Sequence, residues 1–484
     1  MTEKKNFQIC TAIDYPSGRF HVGHAYEKIL ADILARWKRL NGYNVHFSTG
    51  TDCHGLKIQR YAERAGKTPA EFVNEMTNGF RELCKVLNIS YDDFVMTTEE
   101  RHKKCAGFVL QKLYDNDNIY KGKYKGLYCA DCETFYTEKD LIDGLCPVHK
   151  KEIGAVEEEG YFFKLSKYQK KLIEYIANKS NAIFPEKKKN EILNRLKEPL
   201  KDLFISRKEV YWGIPLPFDK KLTCFVWVEA LCNYLTTIGY PSKEYEKFWP
   251  AINFIGSDIA WHHTAIWYSI LWALGLEPTK VVVHGFINLH GEKLSKARGI
   301  NIDPIGLVNK YGSDALRYYL ARDIPFGEDG DFSEKLLKER HNNELANDLG
   351  NLVSRTIAMA EKYFKYEIPE GRNELSFDFS KYMEYMDKYE LHHAIEEAWK
   401  FIRMVNKYIN DKRPWEAAEK GNILYTALDC IRMIATLVYP FMPETAEKIA
   451  KQLNIKVNDV KDLKFNLLKK GKVNKGEILF KKIE

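Results

Sequence analysis

Residues 7–55, FQICTAIDYPSGRFHVGHAYEKILADILARWKRLNGYNVHFSTGTDCHG, decide the fold. The apolar run FQICTAI gives way to a Pro/Ser/Gly loop. Beyond it Tyr26, Ile29, Leu30, Ile33, Leu34 and Trp37 fall at i, i+3, i+4 spacing, the stripe of an amphipathic helix, and Gly42 sits where such a helix stops. VHFSTGTDCHG then reads as a second strand running into a polar loop. Strand, helix, strand is the β-α-β unit of a parallel sheet. Such sheets bind ligands at the carboxyl ends of their strands, where both polar loops fall.

The whole chain has 484 residues, room for about three domains of ~150 residues. With 45% hydrophobic and 29% charged residues it has the composition of a soluble globular protein. It has no run of 18 apolar residues, so no membrane span is expected. The N-terminus, MTEKKNFQIC, carries neither an apolar signal core nor an Arg/Ser-rich transit pattern, which favours a cytoplasmic location. Net charge is +7, and residues 451–484 hold ten lysines against four acidic residues. That end is either an electrostatic footprint for a polyanion or an ordinary solvated lysine-rich surface. Cys10, Cys53, Cys84, Cys105, Cys224, Cys232 and Cys430 stand singly, as reduced buried thiols do.

Around residues 117–165 the pattern breaks into short β-like pieces with frequent glycine, an insertion. Within it Cys129, Cys132, Cys146 and His149 form C-x2-C-x13-C-x2-H, two pairs of soft ligands that close a tetrahedron around one Zn2+. Four protein ligands leave no open position, so the site is expected to be structural, stapling a segment without a core of its own. A nucleic-acid-binding zinc module is the alternative use. The α/β pattern resumes with GIPLPF, TCFVWVEALCNYLTTIG, INFIGSDIAWHHTAIWYSILWALG and VVVHGFINLHG, and from about Glu334 the chain is wholly helical.

His21 and His24 flank the expected helix start at about Val22, where free backbone N–H groups and the positive dipole end favour phosphate. Gly23 between them lets a flat ligand approach the backbone. Taken alone they read equally as core or cap histidines, and a metal pair lacks further ligands. Lys293 and Lys296, in a short loop between Gly291 and Gly299, fit a mobile cationic lid over a triphosphate.

Together these residues resemble the class I aminoacyl-tRNA synthetases, with HVGH in the place of their HIGH motif and KLSKA in that of KMSKS. Departures are Val22 in the first motif and Leu294 and Ala297 in the second; both lysines are kept. The resemblance narrows to the methionyl-tRNA synthetase family, single zinc-knuckle form, through TGTDCHG, ISRKEVYWGIPLP, VWVEALCNY, FIGSDIAWHH, YGSDALRYYL and NDLGNLVSR in the family's order. It implies a Rossmann-like parallel-sheet catalytic domain with a zinc-knuckle connective insertion, followed by an all-α anticodon-binding bundle. The divisions expected are 1–116 and 214–285 for the two catalytic halves, 117–213 for the insertion, 286–340 for the KMSKS-type loop and stem-contact region, and 341–484 for the anticodon-binding helices.

The resemblance further implies that Ile13, Tyr15, Trp227, Ala230, Leu231, Tyr234, Ile259 and His263 line a methionine pocket and that Asp52 holds the substrate ammonium. A polarizable thioether packs well against such aromatic faces. Gly23, Gly256, Asp258 and Lys296 would meet ATP, with Gly256 and Asp258 at the ribose; Ser257 stands where the family has lysine. Catalysis would rest on His21, His24, Lys293 and Lys296, with Mg2+ accompanying ATP. Asn351, Arg355 and Trp415 would read the CAU anticodon of tRNA(Met). The insertion has no room for the hydrolytic editing domain that synthetases for valine, isoleucine and leucine need. A synthetase for another apolar amino acid, and a paralogue that binds tRNA without charging it, are the rival readings. With no domain expected beyond the bundle, the chain is expected to be a monomer acting on L-methionine, ATP and tRNA.

Overall fold

The computed structural model describes residues 4–18, 20–129, 134–136, 138–147, 150–289, 291–293, 302–457 and 459–484. The opening stretch folds as strand, helix, strand. β1 (Asn6–Asp14) leads into α1 (Val22–Leu40), whose stripe packs on the sheet, and β2 (Asn44–Thr51) returns parallel to β1 with Phe7 opposite Val45. Gly42 takes φ +80° in the connecting turn, a conformation that costs glycine little. β3 (Asp93–Met96) adds beside β2.

Next comes a long antiparallel ribbon, β4 (Ile119–Cys129) against β5 (Gly154–Phe163). The chain then supplies β6 (Ile183–Phe184), β7 (Ile252–Gly256) and β8 (Lys280–His284). The six-stranded sheet runs β3-β2-β1-β7-β8-β6 with every pairing parallel. From β1 the chain builds outward one way through β2 and β3, then returns to lay β7 on the other side of β1. That reversal opens a crevice at the carboxyl ends of β1 and β7. The stretch 117–213 is not separate from this sheet: it lends β6 as an edge strand.

Downstream, α2 (Ser313–Asp323) leads to a continuous helical run. Glu334–Arg340 passes through a π-helical segment, His341–Gly350, into α3 (Asn351–Phe364), so residue 341 lies inside one helix. α4 (Leu391–Lys412), α5 (Gly421–Val438) and α6 (Pro443–Leu453) complete the bundle. α5 is the one described helix long and apolar enough to cross a membrane, and 89% of its apolar window is buried by its neighbours. A single apolar cluster joins α1, α2 and the bundle, including Tyr26, Leu30, Trp37, Tyr318, Trp399 and Ile431.

Candidate active site

His21 is the N-cap of α1. Its Nδ1 accepts the Gly23 N–H at 3.1 Å, and His24 Nδ1 accepts the His21 N–H at 3.1 Å. The two rings lie 4.0 Å apart. Because a backbone N–H can only donate, both Nδ1 atoms are unprotonated, so each neutral imidazole carries its proton on Nε2. The pair thus caps the helix in the manner of a capping box and presents Nε2–H donors at its positive end. A Cβ on residue 23 would sit 2.9 Å from the His21 ring, so glycine here protects the pair itself. The Val22 N–H donates to the Ile302 carbonyl at 3.0 Å, tying the helix start to the chain just after the lysine motif.

Four residues past His24, the buried Lys28 ammonium meets Asp14 at 2.9 Å, Glu27 at 3.0 Å and the Ala12 carbonyl at 3.1 Å. Burial opposes its charge, but Asp14 and Glu27 outweigh that and raise its pKa. Glu27 also reaches His284 Nε2 at 3.2 Å, at the end of β8. Burial would raise the Glu27 pKa, yet Lys28 and His284 hold it below the ordinary value. At the end of β7 Gly256 is buried and Asp258 exposed, and the Ser257 hydroxyl donates to the His284 carbonyl at 2.8 Å.

Tyr15, Trp227, Leu231, Tyr234 and Ile259 belong to one apolar cluster. Ala230 is buried on the helix Val226–Ala230, and Ile13 is half-buried in β1. His263 Nδ1 lies 2.9 Å from the Ile259 carbonyl and so carries a proton; its Nε2 accepts from Tyr234 Oη at 2.7 Å. Burial pushes the His263 pKa down to about 4 and that of Tyr234 well above its usual value, so the pair is neutral. His262 stacks on Trp227 with centroids 3.8 Å apart, and burial pushes its pKa down to about 3. Asp52 is buried just past β2, its N–H donating to the Asp14 carbonyl at 2.9 Å.

The lysine motif differs from expectation where it is described: Glu292–Lys293 pairs with Asn288–Leu289, so Lys293 lies on a short strand rather than in a loop. Lys296 lies outside the described residues. In the insertion, Cys129 ends β4 opposite Thr134, and Cys146 follows a tight turn closed by reciprocal Ile142 and Leu145 hydrogen bonds. Asp143 and Gly144 in that turn have φ of 53° and 76°. Both thiols are buried, and soft sulfur donors suit zinc. Cys132 and His149 lie outside the described residues, and no group of three metal-ligating side chains is assembled among those described.

In the bundle Asn351 is exposed at the start of α3 and Trp415 is 49% exposed. Arg355 is held to α4 through Asn406 Oδ1 at 2.8 Å and Asn410 Oδ1 at 2.8 Å.

Sequence reasoning missed Lys28, Glu27 and His284, and also a buried carboxylate, Glu229. His54 and His102 each meet Glu229 at 2.9 Å. Burial would raise its pKa, but the two histidines pull it down to about 2. His54 and Glu229 both lie inside stretches that mark the family, TGTDCHG and VWVEALCNY, which was the available signal.

Comparison with known proteins gives this crevice its context. The family model "tRNA synthetases class I (M)" matches residues 7–156 and 149–357, and "Anticodon binding domain of methionyl tRNA ligase" matches 369–484. The methionine–tRNA ligase of Caldanaerobacter subterraneus subsp. tengcongensis is 45% identical over 99% of this chain and 79% of that protein. The one from Thermotoga maritima is 42% identical over 99% of this chain and 80% of its own length. Mycobacterium tuberculosis methionyl-tRNA synthetase in complex with methionyl-adenylate superposes with a TM-score of 0.93 at 33% identity, covering 98% of this chain and 99% of that one. Its apo form gives 0.87 at 30% identity, covering 100% and 99%. With a parallel sheet reversing at β1, a histidine-capped helix at the crevice and family matches along nearly its whole length, the chain belongs to the class I methionyl-tRNA synthetases.

Proposed function

We propose how this chain, a methionine–tRNA ligase, carries out its reaction. The methionine carboxylate attacks the α-phosphorus of ATP and releases pyrophosphate; the adenylate then acylates the 3′-terminal ribose of tRNA(Met). No protein nucleophile is needed, so the residues act by alignment and by stabilising phosphate charge. Asp52 holds the ammonium, while Ile13, Tyr15, Trp227, Ala230, Leu231, Tyr234, Ile259 and His263 enclose the side chain. The neutral His263–Tyr234 pair offers polarity without charge to a thioether. Gly23, Gly256 and Asp258 lie along the nucleotide, with Asp258 at the ribose. His21 and His24 donate from Nε2–H to phosphate oxygens, and Lys293 and Lys296 add positive charge for the phosphates. Mg2+ accompanying ATP would supply positive charge for the departing pyrophosphate.

Zn2+ on Cys129, Cys132, Cys146 and His149 would close a structural site in the insertion. Asn351, Arg355 and Trp415 would meet the anticodon. Residues 1–116 and 214–285 supply the activation site, 117–213 the insertion, 286–340 the lysine motif and stem contact, and 341–484 the anticodon bundle. We read the protein as a cytoplasmic monomer.

The observation that supports this reading is that one loop, leaving β1, bears both Tyr15 of the apolar aromatic cluster and His21, the cap of α1. Amino-acid-dependent exchange of pyrophosphate into ATP, run with all twenty amino acids, tests it. Methionine should dominate; preference for another amino acid, or no exchange, overturns it.

A further inference from the structure

We propose that Glu229 is a positioning residue for amino-acid selection: it holds the Asp52 loop at a set distance from the wall formed by Trp227, Ala230 and Leu231, and so fixes the side-chain length accepted. This rests on the methionine pocket proposed above.

Glu229 is the next-to-last residue of the helix Val226–Ala230, with a side chain shielded from water. Its Oε1 is 2.9 Å from His54 Nδ1 and its Oε2 is 2.9 Å from His102 Nε2. His54 is two residues past Asp52. His102, on the helix Glu100–Asp115, continues to Thr236 Oγ1 at 3.1 Å. One carboxylate therefore joins three elements, and two of them carry opposite ends of the pocket.

Other bonds anchor the loop elsewhere. The Asp52 N–H goes to β1, and the Cys53 N–H goes to Thr97 Oγ1 at 2.9 Å. Trp212 Nε1–H donates to the Cys53 carbonyl at 2.6 Å, and the Gly55 N–H donates to the Trp212 carbonyl at 3.0 Å. The His54 bond runs instead to the helix that bears the pocket wall. A buried charged group is a poor way to gain stability, since apolar packing of the same volume does as well or better. What the carboxylate adds is two directed contacts of fixed length.

Methionine is grasped at both ends, ammonium at Asp52 and S-methyl against the wall. The spacing of those ends then selects length, and one methylene commonly changes selection 10–200-fold. Glu229→Asp shortens the strut by one methylene, while Glu229→Gln keeps its length.

The test is pyrophosphate exchange with methionine, S-methylcysteine (one methylene shorter) and ethionine (one longer). Glu229→Asp should raise the methionine KM at least tenfold, with kcat within threefold and the ATP KM unchanged. Its preference for methionine over the two analogues should fall about tenfold. Glu229→Gln should keep that preference within threefold of wild type. Unchanged preference in Glu229→Asp, with all rates and the melting temperature falling together, overturns the proposal in favour of a purely structural role. If Glu229→Asp does not fold, His54→Asn cuts the strut from the loop side: the same loss of preference supports the proposal and an unchanged ratio overturns it. Wild-type protein that exchanges nothing with methionine would instead defeat the pocket reading beneath it.

Discussion

Arg317 and Asp32 meet at 2.7 Å with both side chains fully shielded from water. Asp32 lies on α1, the helix capped by His21, and also binds Arg36 at 2.7 Å. Arg317 lies on α2 and donates to the carbonyls of Leu87, Pro440 and Phe441 at 2.8–3.1 Å. α1, α2 and the turn after α5 thus share one buried ionic hub. Arg317→Met removes one of the two arginines paired with a buried carboxylate, together with the donors to three carbonyls, and should cost roughly 3–5 kcal/mol in urea unfolding. Burial alone would raise the Asp32 pKa, but Arg317 and Arg36 outweigh it and hold it below the usual carboxylate range. A depressed folded pKa contributes stability that is fully present above the unfolded value of about 3.9 and is lost as pH falls through the folded one. Wild type should therefore lose more stability than Asp32→Asn on acidification below about pH 4, and parallel acid curves would discount the ion pair.

The histidine pair makes a separable prediction. His21→Ala removes a helix cap, worth about 1 kcal/mol, and the phosphate donor proposed above, worth ~10²–10³-fold in rate by analogy with oxyanion donors. His21→Asn keeps a capping acceptor on a shorter arm. Thermal unfolding should therefore separate the variants, with Asn near wild type, while pyrophosphate exchange should collapse in both. Restored exchange in the Asn variant would make His21 a cap and nothing more.

The opening unit was legible because helical and strand periods differ: the stripe from Tyr26 to Trp37 placed α1 at Val22, where it begins, and Gly42 marked its end. Placing His21 and His24 at that helix start was a matter of local spacing, and a spacing of three is also what lets His24 accept the His21 N–H. β6 was not legible, since two residues carry no period. Lys293 was read as loop because glycines flank its segment, yet pairing with Asn288 depends on a strand that local composition does not announce. The same holds for Glu229, 175 residues from His54, and Arg317, 285 residues from Asp32. Burial of a charge is a tertiary property, and charged residues read by default as surface.

Tyr234→Phe deletes the donor to His263 Nε2 and leaves that atom buried without a partner. Loss of one such bond at ~1–3 kcal/mol should raise the methionine KM about fivefold to a hundredfold in exchange assays. Because His263 titrates near 4 and Tyr234 well above its usual value, neither changes charge between pH 5.5 and 8. The wild-type methionine KM should be flat across that range, and a tenfold drift would show that the pair ionises.

Zinc should be present at one ion per chain by elemental analysis and released by a thiol-reactive mercurial. Cys146→Ser, at a residue buried behind the Ile142–Leu145 turn, should lower that content and make the 117–165 ribbon sensitive to proteolysis. Full protease resistance after metal removal would make the knuckle self-supporting.

Trp415 is nearly half exposed, its Nε1–H on Glu416 at 3.1 Å, while Arg355 is held from α4 by Asn406 and Asn410. A half-exposed indole can stack on an unpaired base, an interaction worth ~1–3 kcal/mol by alanine substitution. Trp415→Ala should raise the KM for tRNA about 5–100-fold in aminoacylation and leave methionine-dependent exchange untouched, because exchange uses no tRNA. Arg355→Ala should do the same and also loosen α3 from α4, seen as a lower melting temperature. The contrast separates roles: Trp415 should act on tRNA alone, and a matching loss of exchange or of thermal stability in Trp415→Ala would make it a packing residue of the bundle.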